Sequence, residues 1–153
     1  MRVTALSVNV GASAGNRALV MELFSFVNLL FVVDPPLNGD RHIPQEPGVW
    51  ELFSFVHGSG VEVYIRSGMV GLFEVVAHRV AGVSIGYYVK GTLNVLRCVY
   101  MRPALPKAVW DDETRGWEGL NIVLGDMNVM DLSWDVVGNS YGGWARRGAE
   151  AAG

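Results

Sequence analysis

The sequence predicts a mixed, strand-rich α/β domain, and three observations carry that expectation. Short apolar runs each end in a polar residue and a turn, a stretch of helical apolar spacing separates the first two runs, and half of the residues are apolar while 18% are charged. A chain of 153 residues suits one domain with a sizeable core.

The first strand is expected over residues 2–10, where Val3-Thr4-Ala5-Leu6-Ser7-Val8-Asn9 partly alternates. Small residues at 11–15 make a loop, and Asn16 can cap a helix over 17–26 in which Leu19, Leu23 and Phe26 recur at helical spacing. A second strand runs into Asp34. Pro35, Pro36, Asn38, Gly39 and the stretch 44–48 then predict a long surface loop. Further strands are expected near 49–55, 61–66, 72–77, 83–90, 92–101 and 120–124, with a loop over 103–119 that holds one helical turn around Trp110. The stretch from 138 is rich in Gly and Ala and reads as a flexible tail, so the domain is placed at 1–137. The hexapeptide Glu-Leu-Phe-Ser-Phe-Val occurs at 22–27 and at 51–56, once in a predicted helix and once in a predicted strand. Its flanks do not match, so it signals no repeat architecture.

Charge and cysteine usage narrow the classes. A net charge of −3 and a pI near 5.5 leave no global basic footprint, so affinity for nucleic acid would have to come from a local patch or a bound metal. The single cysteine, Cys98, sits in an apolar run, which excludes an internal disulfide and suggests core packing in a reducing compartment. The apolar run 23–33 contains Asn28 and is too short to span a bilayer. Arg2, an apolar stretch and Ala12-Ser13-Ala14 superficially suggest a leader, but the strand-like alternation and short apolar region argue against one. The expectation is an intracellular protein, nuclear or cytoplasmic, with no membrane partner.

The densest chemical signal is Ile122-Val123-Leu124-Gly125-Asp126-Met127-Asn128, an apolar strand that stops at glycine and then presents a carboxylate and a carboxamide. In an extended segment, side chains i and i+2 point the same way, so Asp126 and Asn128 would face a hydrated Mg2+ or a phosphate together. An ordinary turn after a strand uses the same residue types. Similar strand ends occur at Leu6-Ser7-Val8-Asn9-Val10-Gly11, at Leu29-Leu30-Phe31-Val32-Val33-Asp34-Pro35 and at Cys98-Val99-Tyr100-Met101-Arg102-Pro103.

Taken in order, Asn9-Val10-Gly11, Asp34-Pro35, Tyr64-Ile65-Arg66-Ser67-Gly68, Tyr100-Met101-Arg102-Pro103, Gly125-Asp126-Met127-Asn128 and Trp134 resemble the endonuclease/exonuclease/phosphatase superfamily. The nearest likeness is the endonuclease domain of non-LTR retrotransposon (reverse-transcriptase-like) proteins. The resemblance implies an α/β (α+β) fold of DNase I-like type, a two-sheet β-sandwich flanked by helices, here as its N-terminal portion. It implies phosphodiester hydrolysis with Mg2+ or Mn2+ on DNA or another phosphodiester. Position by position, Asn9 would contact metal or phosphate, Asp34 would be the principal metal carboxylate and Tyr100 would donate to phosphate. Asp126 would position or deprotonate the attacking water, and Asn128 would bind phosphate.

The chain departs from that pattern at three places. The family's Glu after the second strand is Asp34 here, shorter by about 1.5 Å of one carbon–carbon bond, which weakens a Mg2+ site. Gln45-Glu46-Pro47 does not follow an apolar strand, although Glu46 is the best substitute ligand. Residues 129–133 lack the His and Pro that relatives carry before the Trp, and no Ser-Asp-His sequence follows Asp126 to supply a general base. His42, His57 and His78 all lie upstream, away from the motifs.

Plainer roles stand beside each site residue. Asn9 can end its strand with a side-chain-to-backbone bond, Asp34 can start a turn, and Tyr100 can be a core aromatic with a wet hydroxyl. Arg66, Arg97, Arg102 and Lys107 could line a phosphate-facing edge or simply be scattered surface charges. A half-sandwich would leave an apolar sheet face and an unpaired edge, favouring self-association, with the tryptophans at 50, 110, 117, 134 and 144 covering part of it. Against the enzyme stands a catalytically inactive retrotransposon-derived remnant acting as a binding module. A phosphatase of small phosphoesters or lipids would use the same metal site.

Overall fold

The computed structural model describes residues 2–38, 41–42, 49–55 and 59–128. Glu46, His57, Trp134, Trp144, the 137/138 boundary and the tail lie outside them. Two four-stranded sheets form the body. The first has the order β1 (Ala5–Asn9), β2 (Leu29–Val33), β6 (Val61–Arg66) and β5 (Trp50–Phe55). The second runs β10 (Ile122–Asp126), β9 (Thr92–Tyr100), β8 (Gly82–Val89) and β7 (Phe73–Arg79). Where the sequence predicts only loop, β3 (Leu37–Asn38) and β4 (Arg41–His42) pair as a short ladder. Helix α1 (Ala14–Leu23) follows β1, and α2 (Lys107–Arg115) joins β9 to β10.

Period-two alternation explains the layers. Leu29, Phe31 and Val33 of β2 and Val61, Val63 and Ile65 of β6 face Val83, Ile85, Leu96 and Cys98 of the other sheet, forming the inter-sheet core. The intervening residues Leu30, Val32 and Tyr64 face outward against Val10, Met21 and Trp50. On the opposite outer face, Val99 packs with Met101, Trp117 and Met127. The order is helix, sheet, sheet, helix, an α+β sandwich. Strand β2 is buried on both faces, which is why its sequence is an unbroken apolar run. Cys98 is fully buried, and burial pushes its thiol up to about 12, so it packs as a small apolar residue.

Each helix is tied to its sheet by a buried ion pair that the apolar pattern does not announce. Arg17 of α1 donates from one nitrogen to both oxygens of Glu62 on β6, at 3.2 and 3.1 Å. Arg97 of β9 donates to Glu113 of α2 through Nε at 3.0 Å and again through Nη2, and reaches Ser84 at 3.2 Å. The indole of Trp117 donates to the same Glu113 at 2.9 Å. Arg97 is therefore core and not part of a phosphate-facing edge, while Lys107 is exposed and pairs with Asp111.

These ties correct two expectations. Helix α1 begins at Ala14, capped by Ser13, whose hydroxyl accepts the Asn16 N–H at 3.1 Å; Asn16 instead donates its side chain to the Val10 carbonyl. Its inward stripe is Arg17, Val20 and Met21, because Glu62 draws Arg17 inward, and Leu19, Leu23 and Phe26 are left 52, 58 and 67% exposed. The second correction is α2 itself, a two-turn helix where the sequence predicts one turn, held by Glu113 and by Trp110 against the outer core, with no side-chain cap. Among the described residues, no helix is long and apolar enough to cross a membrane.

Glu62 gives a pH prediction. Burial raises its carboxyl from 4.5 to about 7, against the opposing pull of Arg17 and a hydrogen bond from Tyr64. A carboxyl whose folded pKa is raised takes up a proton on folding between the two values, so its effect favours the fold at low pH and weakens it as pH rises from 4.5 to about 7. Thermal melts of the parent chain and Glu62→Gln between pH 5 and 7.5 should show the parent losing stability more steeply with rising pH. Parallel slopes would rule out titration of Glu62 in that window.

Candidate functional site

The parallel pairings β1 with β2 and β9 with β10 bring four strand C-termini to one side of the sandwich. There Asn9 ends β1, Asp34 follows β2, Tyr100 ends β9 and Asp126 ends β10, with Tyr100 and Asp126 opposite each other in register. The Asn9 amide crosses between the sheets and donates to Asp126 Oδ2 at 2.7 Å, while its own Oδ1 accepts the Gly11 N–H at 2.8 Å. Both ends of the carboxamide are therefore committed: Asn9 ends its strand as a plain turn residue would, and it also fixes one oxygen of Asp126.

Asp126 is 7% exposed, and its other oxygen accepts the Asn128 N–H at 3.1 Å. This corrects the extended geometry expected of Asp126 and Asn128. Strand β10 stops at Asp126, Asn128 turns into the left-handed region at φ 48°, and its side-chain amide donates to the Met101 carbonyl at 3.1 Å. The two side chains do not project side by side. Asn128 braces the β9 and β10 ends.

Asp34 is held by its backbone. Its N–H donates to the Gly60 carbonyl at 2.9 Å and its carbonyl accepts the Ala12 N–H at 2.7 Å, which fastens the loop after β1 to the end of β2. Ala12, Asp34 and Asn128 all have positive φ, at 57°, 53° and 48°. The only other described non-glycine with positive φ is Lys90. Left-handed backbone at residues with a side chain costs energy, and such strain concentrates where function fixes geometry.

The Tyr100 phenol is pushed above its ordinary value, first by burial and then by the negative charges of Asp34 and Asp126, with Arg102 pulling it back. The hydroxyl therefore stays protonated at neutral pH and can donate to an anionic oxygen. Met101 between them is buried in the outer core, so Tyr100 and Arg102 share the opposite side of the chain.

Two aspartates and a phenol at the meeting of two sheets offer hard oxygen donors, and Mg2+ is commonly held by one or two carboxylates with water completing the shell. Of the two ligands the resemblance implies, Asn9 has its amide oxygen on the Gly11 N–H, which leaves Asp34 as the carboxylate that would hold Mg2+ or Mn2+. Among the described residues, no group of three or more His, Cys, Asp or Glu converges. His78 lies 3.4 Å from Ser54, bridging β7 and β5 at the opposite edge of the sandwich. Gly60, whose carbonyl holds Asp34 and whose Cα lies against the Tyr100 ring, went unnoticed in the sequence. Its only signal there is a glycine just before an apolar strand.

No family model matches the chain, and no curated protein matches it. Among solved structures, it is similar to the endonuclease domain of TRAS1, a telomere-specific non-LTR retrotransposon, with a TM-score of 0.62 and 14% identity. The match covers 97% of this chain and 72% of that one, and at this identity it establishes the fold alone.

Proposed function

We propose that the chain is a divalent-metal-dependent phosphodiesterase acting as an endonuclease on DNA. The observation that carries this reading is the meeting of four strand C-termini, where the Asn9 amide bonds to Asp126 and Asp126 lies opposite Tyr100 in register. Support also comes from the likeness in fold to a retrotransposon endonuclease domain.

A bound Mg2+ or Mn2+ would neutralise charge developing on the phosphate oxygens. Asp34 is the principal carboxylate for it. Asp126, held by Asn9 on one oxygen and by the Asn128 N–H on the other, orients the attacking water and accepts its proton. Tyr100 donates its hydroxyl to a phosphate oxygen, and Arg102 places positive charge beside it, a local substitute for the missing global basic charge. Asn128, whose amide nitrogen donates to the Met101 carbonyl, keeps the two strand ends in place and has a second N–H to donate to phosphate.

The test is nicking of supercoiled plasmid by purified protein in Mg2+ or Mn2+. Asp126→Ala should lower the rate on the order of 100-fold or more while leaving the fold intact. Nicking that persists unchanged in the variant would remove Asp126 from the mechanism. A small phosphodiester run in parallel separates a nuclease from a phosphatase of small esters. The second reading, a binding module without turnover, draws on the absence of a site histidine among the described residues, His78 being at the far edge. A folded protein that binds DNA and cleaves neither substrate would establish it.

A further inference from the structure

Gly60 immediately precedes β6, at φ +72°, a conformation that side chains disfavour. Its carbonyl accepts the Asp34 N–H at 2.9 Å, so it fixes the backbone of one site residue on the first sheet. A Cβ built there would fall 2.5 Å from Tyr100 Cδ2 and 2.9 Å from Cε2. The tyrosine ring of the second sheet thus rests on the bare Cα of the first. Behind the ring, the Tyr100 N–H is held by the Ala81 carbonyl at 2.7 Å, so the strand that carries the ring is fixed and only the side chain can yield.

We infer that Gly60 is a positioning residue: its missing side chain seats the Tyr100 ring, and its carbonyl holds the Asp34 backbone, so that the phenol, aimed at a phosphate oxygen, and the carboxylate, aimed at the cation beside it, keep a fixed separation. The inference rests on the function proposed above for its purpose, but not for its geometry. Gly60 acts through Tyr100 and Asp34. It sets the separation of two groups that arrive from different sheets, which neither sheet's own ladder can set.

Gly60→Ala should displace the ring, and two readouts follow. The Tyr100 ring protons, assigned by difference from Tyr100→Phe, should show an NMR cross-peak to the Gly60 Hα in the parent, and in Gly60→Ala the ring resonances should shift as the ring is pushed off its seat. Where the parent nicks plasmid, kcat should fall on the order of 10- to 100-fold, as expected for a misplaced catalytic contact. Ring resonances equal to the parent's would overturn the inference, as would an unchanged rate where the parent nicks. The resonances are read with no metal or DNA, so a parent that never nicks would defeat the proposed function while a displaced ring still upheld the seat. Should Gly60→Ala fail to fold, combining it with Tyr100→Leu decides the matter. Recovery of a cooperative melt shows that the added methyl collided with the ring, and no recovery overturns the inference.

Discussion

Glu113→Ala is expected to destabilise the fold by about 3–5 kcal/mol, because it leaves a guanidinium buried without its counter-charge. Arg97 is 1% exposed and would keep only Ser84 as a side-chain partner among the described residues. The same substitution removes the carboxylate that accepts the Trp117 indole N–H and, with it, the tie that holds α2 to the second sheet. Urea unfolding should show a midpoint lower by about 1 M or more. The pair Arg97→Met with Glu113→Leu should recover most of the loss, since replacing both members of a buried ion pair with apolar groups of similar size is often neutral. A loss below about 1 kcal/mol for the single substitution, the value of an exposed pair, would mean that water reaches Arg97 as α2 moves away.

Gly125→Ala is expected to cost roughly 3 kcal/mol or more, lowering the melting temperature by roughly 10 °C. Gly125 has φ +133°, and a Cβ there would fall onto the Val99 carbonyl oxygen and within 2.8 Å of Val99 N. Both are main-chain atoms of the neighbouring strand, fixed by the β9–β10 ladder, and neither can swing aside as the Tyr100 ring can at Gly60. Gly119→Ala is the control. Gly119 also has positive φ, at +83°, but nothing lies within 4 Å of its added methyl, so it should cost only the backbone strain of about 1–2 kcal/mol. Equal losses at the two positions would show that strain alone, and not collision with β9, dictates glycine before Asp126. The larger loss at Gly125 would tie that glycine to the close approach of the strands that place Asp126 opposite Tyr100.

Much of the site was legible because strand ends are local. An apolar run with period two, closed by Asn9, Asp34 or Asp126, marks a strand terminus from the sequence alone, and parallel pairing then brings such termini together. The geometry among them was not legible. Asp126 and Asn128 looked like neighbours on one face, yet a left-handed backbone at Asn128 sends its amide to Met101, since the Asp126 side chain captures the Asn128 N–H. Gly60 and Tyr100 lie on different sheets and share no sequence signal. Arg97 looked like surface charge because nothing in its own segment points to Glu113, on a helix beyond the next turn.

The sequence by itself determined the number and kind of most strands, the double burial of β2, the core role of Cys98 and the order of the motif residues. All of these depend on hydrophobic periodicity within a few residues. The tertiary structure alone decided which face of α1 turns inward, that α2 is a helix, and what the repeated hexapeptide becomes. Glu22 and Leu23 of its first copy finish a helix and Phe24 to Phe26 turn, while Glu51 to Phe55 of the second lie in β5. Local preference is nearly the same for both copies. The first is wound onto the outer face of a sheet behind Arg17 and its buried partner, and the second adds its backbone to the open edge of β6; the difference in their surroundings exceeds the small intrinsic preference of the six residues.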